Sequence, residues 1–205
     1  MTNDETEATQ SAFGLPADTL IDLFQNGDIE VLGRMPYSSN ATLLVNVTDG
    51  DLRHQAIYKP HRGERPLWDF PDGLFKREVA MYRLCRQLGW DVIPPTTVGV
   101  GPHGEGSVQA LVNADFRQHY FTLHDDGIGE DDLRKICVLD LIANNTDRKS
   151  GHCLLAVDGR VYGIDNGLAF HAMEASYRVV GLRRRADRSS DPRRRRSAHR
   201  RWTCA

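Results

Sequence analysis

The sequence predicts an α+β fold, and three observations carry that expectation. Short apolar runs joined by turn signals recur through the first half of the chain. A helix-periodic stretch, 74–88, interrupts them. A second apolar helical pattern, 131–143, then runs through a polar loop into another hairpin pattern.

Taken in order, residues 1–13 have the composition of a disordered terminus. A short helix is predicted over 17–25, with Pro16 near its start, Leu20, Leu23 and Phe24 on one face, and Gly27 as its stop. Strands are predicted over 29–35, 41–47 and 52–59, the last two joined by the hairpin signal Asp49-Gly50-Asp51. Residues 61–73, rich in Pro, Gly and Arg, form a loop. The helix over 74–88 is closed by Gly89 and carries a stripe of Phe75, Val79, Tyr82 and Leu88, with Glu78 close beside it. Strands over 96–100 and 107–112 flank a glycine-rich turn at 101–106. After a variable stretch, 113–129, the helix over 131–143 presents Leu133, Ile136, Cys137, Leu139 and Leu141 in a buried pattern. Its polar exit, 144–152, leads to strands over 153–157 and 161–164 linked by Asp158-Gly159.

A chain of 205 residues is long enough for a proper core, and its apolar and charged fractions are those of a globular protein. The net charge of −2 hides an asymmetry, because 11 of the 26 Lys and Arg residues lie in 177–205, opposed there only by Asp187 and Asp191. Residues 1–176 therefore carry 15 basic against 26 acidic residues, a charge of −11. Four scattered cysteines, Cys85, Cys137, Cys153 and Cys204, have no CxxC spacing and read as reduced thiols, not as a zinc site or a disulfide framework. The polar, acidic start and the absence of any window of transmembrane length make the expectation a cytoplasmic protein.

Phosphoryl transfer requires a cation for the phosphates, carboxylates for magnesium and a group that orients the acceptor. Lys59 closes the apolar run Ala56-Ile57-Tyr58-Lys59, and Glu78 on the next helix is placed to pair with it. Taken singly, a lysine at a strand end is usually solvated and a helical glutamate usually faces water. Asp147 sits in a polar loop after an apolar helix, and Asp165, 18 residues later, closes the strand in Tyr162-Gly163-Ile164-Asp165. One hairpin between them would return the second aspartate alongside the first. On spacing alone, both also suit ordinary turn residues.

The segments Ser38-Ser39-Asn40-Ala41-Thr42, Tyr58-Lys59-Pro60, Pro66-Leu67-Trp68-Asp69-Phe70-Pro71, Arg77-Glu78-Val79-Ala80, Gly106-Ser107-Val108-Gln109, Asn145-Thr146-Asp147-Arg148 and Ile164-Asp165-Asn166-Gly167-Leu168-Ala169-Phe170 occur in order over 32–172. Together they resemble an actinobacterial family with distant similarity to phosphatidylinositol 3- and 4-kinases, and are similar to motifs of type II phosphatidylinositol 4-kinases and HipA-type kinases. The resemblance implies a two-lobed protein-kinase-like fold, with a sheet lobe over 14–112 and a truncated larger lobe over 113–175. It implies ATP and Mg2+ or Mn2+ as cofactors, and an acceptor hydroxyl on a protein, lipid or small molecule. Lys59 would contact the phosphates and pair with Glu78, Asp147 would orient or deprotonate the acceptor, and Asp165 would hold the metal. Ser38, Ser39, Asn40 and Thr42 would cradle phosphates, and Gln109, Leu111 and Val112 would form the hinge against the adenine. The same hinge residues also suit an interior strand.

At His152, five residues after Asp147, those kinases carry an asparagine as second metal ligand. Imidazole suits manganese better than magnesium, so His152 reads as a ligand for a different ion, a phosphate contact or a structural histidine beside Cys153. The tail 176–205, with Arg183-Arg184-Arg185 and Arg193-Arg194-Arg195-Arg196, has no core-forming periodicity and is expected to be disordered. It reads as the product of a shifted reading frame, as an arm for polyanions, or as a linker. Rival functions to a kinase are a pseudokinase module, a nucleotidyl transferase and a nucleic-acid binder acting through the tail.

Overall fold

Antiparallel hairpins build the principal sheet. The computed structural model describes residues 12–36 and 40–172. Strands β1 (Asp28–Arg34), β2 (Leu43–Asp49), β3 (Leu52–Pro60), β4 (Thr96–Gly101) and β5 (Gly104–Ala110) form one five-stranded sheet in the order β1-β2-β3-β5-β4. Asp49 pairs with Leu52, and Gly50 between them takes φ +56, which the tight β2–β3 turn requires and glycine permits without strain. The second half of β3 alternates in burial while β2 is buried through Val45, Asn46 and Val47, and Val45, Val47, Ala56 and Tyr58 pack with Val108 and Ala110 of β5. Helix α1 (Ala17–Asn26) covers that face through Leu20, Leu23 and Phe24, the stripe its sequence predicts.

A second core forms around α2 (Leu74–Gln87). Met81, Tyr82 and Cys85 of that helix pack with Val92 and Ile93, with Leu123 of α3 (Tyr120–Asp126) and with Leu133, Ile136 and Leu139 of α4 (Glu130–Ile142). The small hairpin of β6 (Cys153–Leu155) and β7 (Val161–Gly163) adds Cys153 and Val161 to it. The described residues thus form an α+β arrangement with a sheet core covered by α1 and a second core that includes α2 and α4. Among the described residues no helix is long and apolar enough to cross a membrane.

Several expectations change. The glycine-rich segment 101–106 is mostly strand, not turn, and only Pro102 and His103 separate β4 from β5. The missing side chains there admit Tyr58: a Cβ on Gly101 would stand 2.9 Å from its ring and one on Gly106 2.8 Å, and Tyr58 Oη donates to Gly104 O at 2.5 Å. Residues 113–129 contain α3, a helix too short to give a periodic signal. Leu111 and Val112 lie past the end of β5, and Leu88 caps α2 exposed, outside its stripe. On α4, Leu141 is exposed, while Asp140 is fully buried. Phe13, expected in the disordered terminus, packs edge-on against Tyr162 with ring centroids 5.3 Å apart. Residues 1–11, Ser38, Ser39 and the arginine-rich tail lie outside the described residues.

Candidate functional site

Three distant segments meet at one lysine. Lys59, near the end of β3, is set by the register in which it pairs with Ser107. From α2, Glu78 Oε1 accepts from Lys59 Nζ at 2.5 Å, and from the segment after β7, Asp165 Oδ1 accepts from the same nitrogen at 3.0 Å. Glu78 is buried, so its charge is compensated by Lys59 and by the Asn166 backbone N–H, which donates to Glu78 Oε2 at 2.9 Å. Burial works against the Lys59 ammonium, but the Glu78 and Asp165 carboxylates outweigh it and hold its pKa above the ordinary lysine value. The Lys59 charge in turn holds Asp165 well below the usual carboxylate range, against the opposing effect of its own burial.

His152 faces the other oxygen of Asp165, with Nε2 to Oδ2 at 3.3 Å. Burial, joined by the positive charges of Arg148 and Lys149 and only partly offset by Asp165 and Asp147, pushes His152 down to about 4. The imidazole is therefore neutral at pH 7. Its Nδ1 accepts from the Lys149 backbone N–H at 3.4 Å, so Nε2 carries the proton and donates towards Asp165.

These groups edge a cavity of about 210 Å³. Lys59, His152 and Asp165 line its polar side, and Ile57, Leu111, Val112, Leu154 and Ile164 line its apolar side. Of the other residues singled out in the sequence, Thr42 and Gln109 line the same cavity. Gln109 Nε2 is turned to Thr96 Oγ1 at 2.8 Å. Asn40 is not among the lining residues, and its Oδ1 accepts from the Arg65 N–H at 3.2 Å. Asp147 is not a lining residue either: its carboxylate holds Lys149 Nζ at 2.8 Å, though it lies near enough to His152 to act on its charge.

The sequence reading missed Met35 and Phe116 in the lining, Lys149 between the acidic groups, and a buried polar network of Asp140, Asn145, Arg148 and Asn166. Asp140 on an apolar helix was the available signal, since a carboxylate in a buried stripe demands a cation.

The Asp165 carboxylate at the cavity edge is a donor of the kind a hard divalent cation takes. Asp165 keeps 49% of its side-chain surface exposed and commits Oδ2 only to a long contact, which leaves oxygen lone pairs facing the cleft. A second acidic group, His61, Glu64 and Asp72, clusters on the loop before α2. There Glu64 is already engaged, accepting from the N–H groups of Gly73, Leu74 and Phe75 and so capping α2. None of the described cysteines, Cys85, Cys137 and Cys153, forms a disulfide, and burial pushes the Cys153 thiol up to about 12.

No family model matches the chain. It is similar to Protein Rv2133c of Mycobacterium tuberculosis, with 38% identity over an alignment 192 positions long; the match covers 76% of this chain and 68% of that protein.

Proposed function

This chain belongs to the family of Protein Rv2133c, and we propose that it is an ATP-dependent phosphotransferase built on a two-lobed protein-kinase-like fold, acting on a hydroxyl acceptor. The observation that carries this reading is the meeting of Lys59 and Asp165, with Glu78 holding the lysine, at the polar edge of a cavity whose other lining is mostly apolar. That pairing of a held cation with a carboxylate suits a triphosphate, and the walls from Ile57, Leu111, Val112 and Leu154 suit a planar base.

In this reading Lys59 donates to non-bridging phosphate oxygens while Glu78 fixes its direction. Asp165 would hold the divalent cation, with His152 donating to Asp165 and not serving as a ligand. The bound Mg2+ or Mn2+ would neutralise charge building on the phosphates. Asp147 orients the acceptor hydroxyl and takes its proton as the new O–P bond forms and the β–γ bridging bond breaks, releasing ADP. Thr42, which lines the cavity just ahead of β2, offers its hydroxyl to the phosphates. The acceptor is a protein, lipid or small molecule, and the setting is the cytoplasm.

A second reading, a nucleotide-binding module without turnover, is favoured by one observation: Asp147 is ion-paired with Lys149 and stands outside the cavity lining. Thermal shift with ATP and Mg2+ or Mn2+, followed by transfer of labelled γ-phosphate, separates the two. Stabilisation together with transferred label supports the phosphotransferase. Stabilisation without it, in this chain and in a longer relative, supports the module, and no stabilisation by ATP overturns both.

A further inference from the structure

The two acidic loops of the site are tied to one buried ion pair. Asp140 of α4 and Arg148, the residue after Asp147, each keep 1% of their side-chain surface exposed. Arg148 donates from Nε to Asp140 Oδ2 and from Nη2 to Asp140 Oδ1, both at 2.8 Å. The same guanidinium reaches across to the other loop, donating from Nη1 to Ile164 O at 2.5 Å and from Nη2 to Asn166 Oδ1 at 2.6 Å. Those two residues flank Asp165. On its other side Asp140 Oδ1 accepts from Asn145 Nδ2 at 2.8 Å, and Asn145 Oδ1 accepts the Asp147 N–H at 3.3 Å.

A fully buried ion pair is a poor source of stability, because apolar side chains of similar volume pack as well or better. What apolar packing lacks is direction. The planar fork of an arginine fixes several acceptors at set angles, which a lysine of equal charge does not do. Here that fork spans the chain between the residue beside Asp147 and both neighbours of Asp165.

We propose that the Asp140–Arg148 pair is a positioning element that sets Asp147 and Asp165 relative to each other, so that the acceptor-side and nucleotide-side carboxylates move as one unit. Its kinetic consequence rests on the phosphotransferase reading; the mechanical link does not. The link continues outward, since the Asn166 N–H engages Glu78 and Glu78 holds Lys59.

The test is Arg148→Lys in the full chain, studied well below its melting temperature. Residue-resolved hydrogen exchange is expected to show the amides of Asp147 and Asn166 losing protection together, each by about tenfold or more, with β2 and β3 unchanged. In the same protein kcat should fall by about 100-fold and the KM for ATP should rise, whereas Asp147→Asn lowers kcat alone. A merely structural pair would lower the melting temperature and leave both constants intact in the folded fraction. Should Arg148→Lys fail to fold, Asn166→Ala removes the side-chain one of the two ties to the Asp165 loop and leaves that to Ile164 O: the amide at 166 should lose protection and the KM for ATP should rise, with the Asp147 amide unaffected. Protection lost in one loop only in Arg148→Lys, or Asn166→Ala matching the wild type in exchange and kinetics, overturns the proposal. A wild-type chain that does not bind ATP fails the phosphotransferase reading instead, and the exchange data alone then decide the link.

Discussion

Glu78 and Asn166, 88 residues apart in the chain, are joined by a hydrogen bond of 2.9 Å from the Asn166 backbone to the Glu78 carboxylate. The other oxygen of that carboxylate holds Lys59, so one buried side chain fixes both the cation and the loop that carries Asp165.

Glu78→Ala is therefore expected to cost about 3 kcal/mol of stability, since it leaves the Lys59 ammonium to Asp165 alone and takes the acceptor from the buried Asn166 amide. Glu78→Gln keeps an acceptor for Asn166 and should cost clearly less. Urea unfolding of both variants measures the difference, and equal losses would mean that the contact to Asn166 contributes nothing.

Asp165 and Asp147 are expected to separate in their effects. Asp165→Asn should abolish metal-dependent nucleotide binding, whereas Asp147→Asn should leave binding within about threefold of wild type and suppress turnover. Calorimetric titration with ATP and Mg2+ alongside label transfer gives both quantities. Equal loss of binding in the two variants would contradict the roles assigned here.

The candidate site was only partly legible in the sequence. Lys59, Glu78 and Asp165 stand in motifs of recognisable order, His152 stands where the related kinases carry an asparagine, and the structure brings these four together. Hairpin turns and apolar stripes likewise gave most elements, because period and turn chemistry are local properties. Asp140 and Arg148 were invisible as a pair, since each satisfies the other only once α4 and the following loop fold back together. The first residues of the strand Gly104–Ala110, read as turn as far as Gly106, were hidden for a related reason: the glycines answer to Tyr58 on a neighbouring strand, a contact no local pattern encodes.

His152 gives the protein a defined response to acid. Its folded pKa of about 4 lies below the ordinary value of 6.5, so the unfolded chain binds the proton more readily than the native one. Stability is then fully present above pH 6.5 and falls as pH drops from there to about 4, by up to about 3 kcal/mol for this group. Denaturant midpoints across that window should show the slope, and His152→Gln should flatten it. An unchanged slope in the variant would remove His152 as its source.

Gly106 lies where β5 passes β3 beside Lys59. A Cβ there would stand 2.4 Å from Lys59 O and 2.7 Å from Pro60 Cα, both backbone atoms that cannot step aside. Gly106→Ala is expected to destabilise by about 2 kcal/mol and to weaken nucleotide binding by displacing the lysine. Thermal unfolding with and without ATP checks both effects.

Asp165 adopts φ +59, a left-handed backbone in which any residue with a Cβ is strained. The position that aims a carboxylate into the cleft is thus also a local weak point. Asp165→Gly and Asp165→Ala lose the same acid, yet the glycine variant should prove about 1 kcal/mol more resistant to unfolding, as calorimetry would register. At this residue durability and chemistry are opposed: the side chain that the most comfortable backbone would choose is the one that leaves the cleft without its acid.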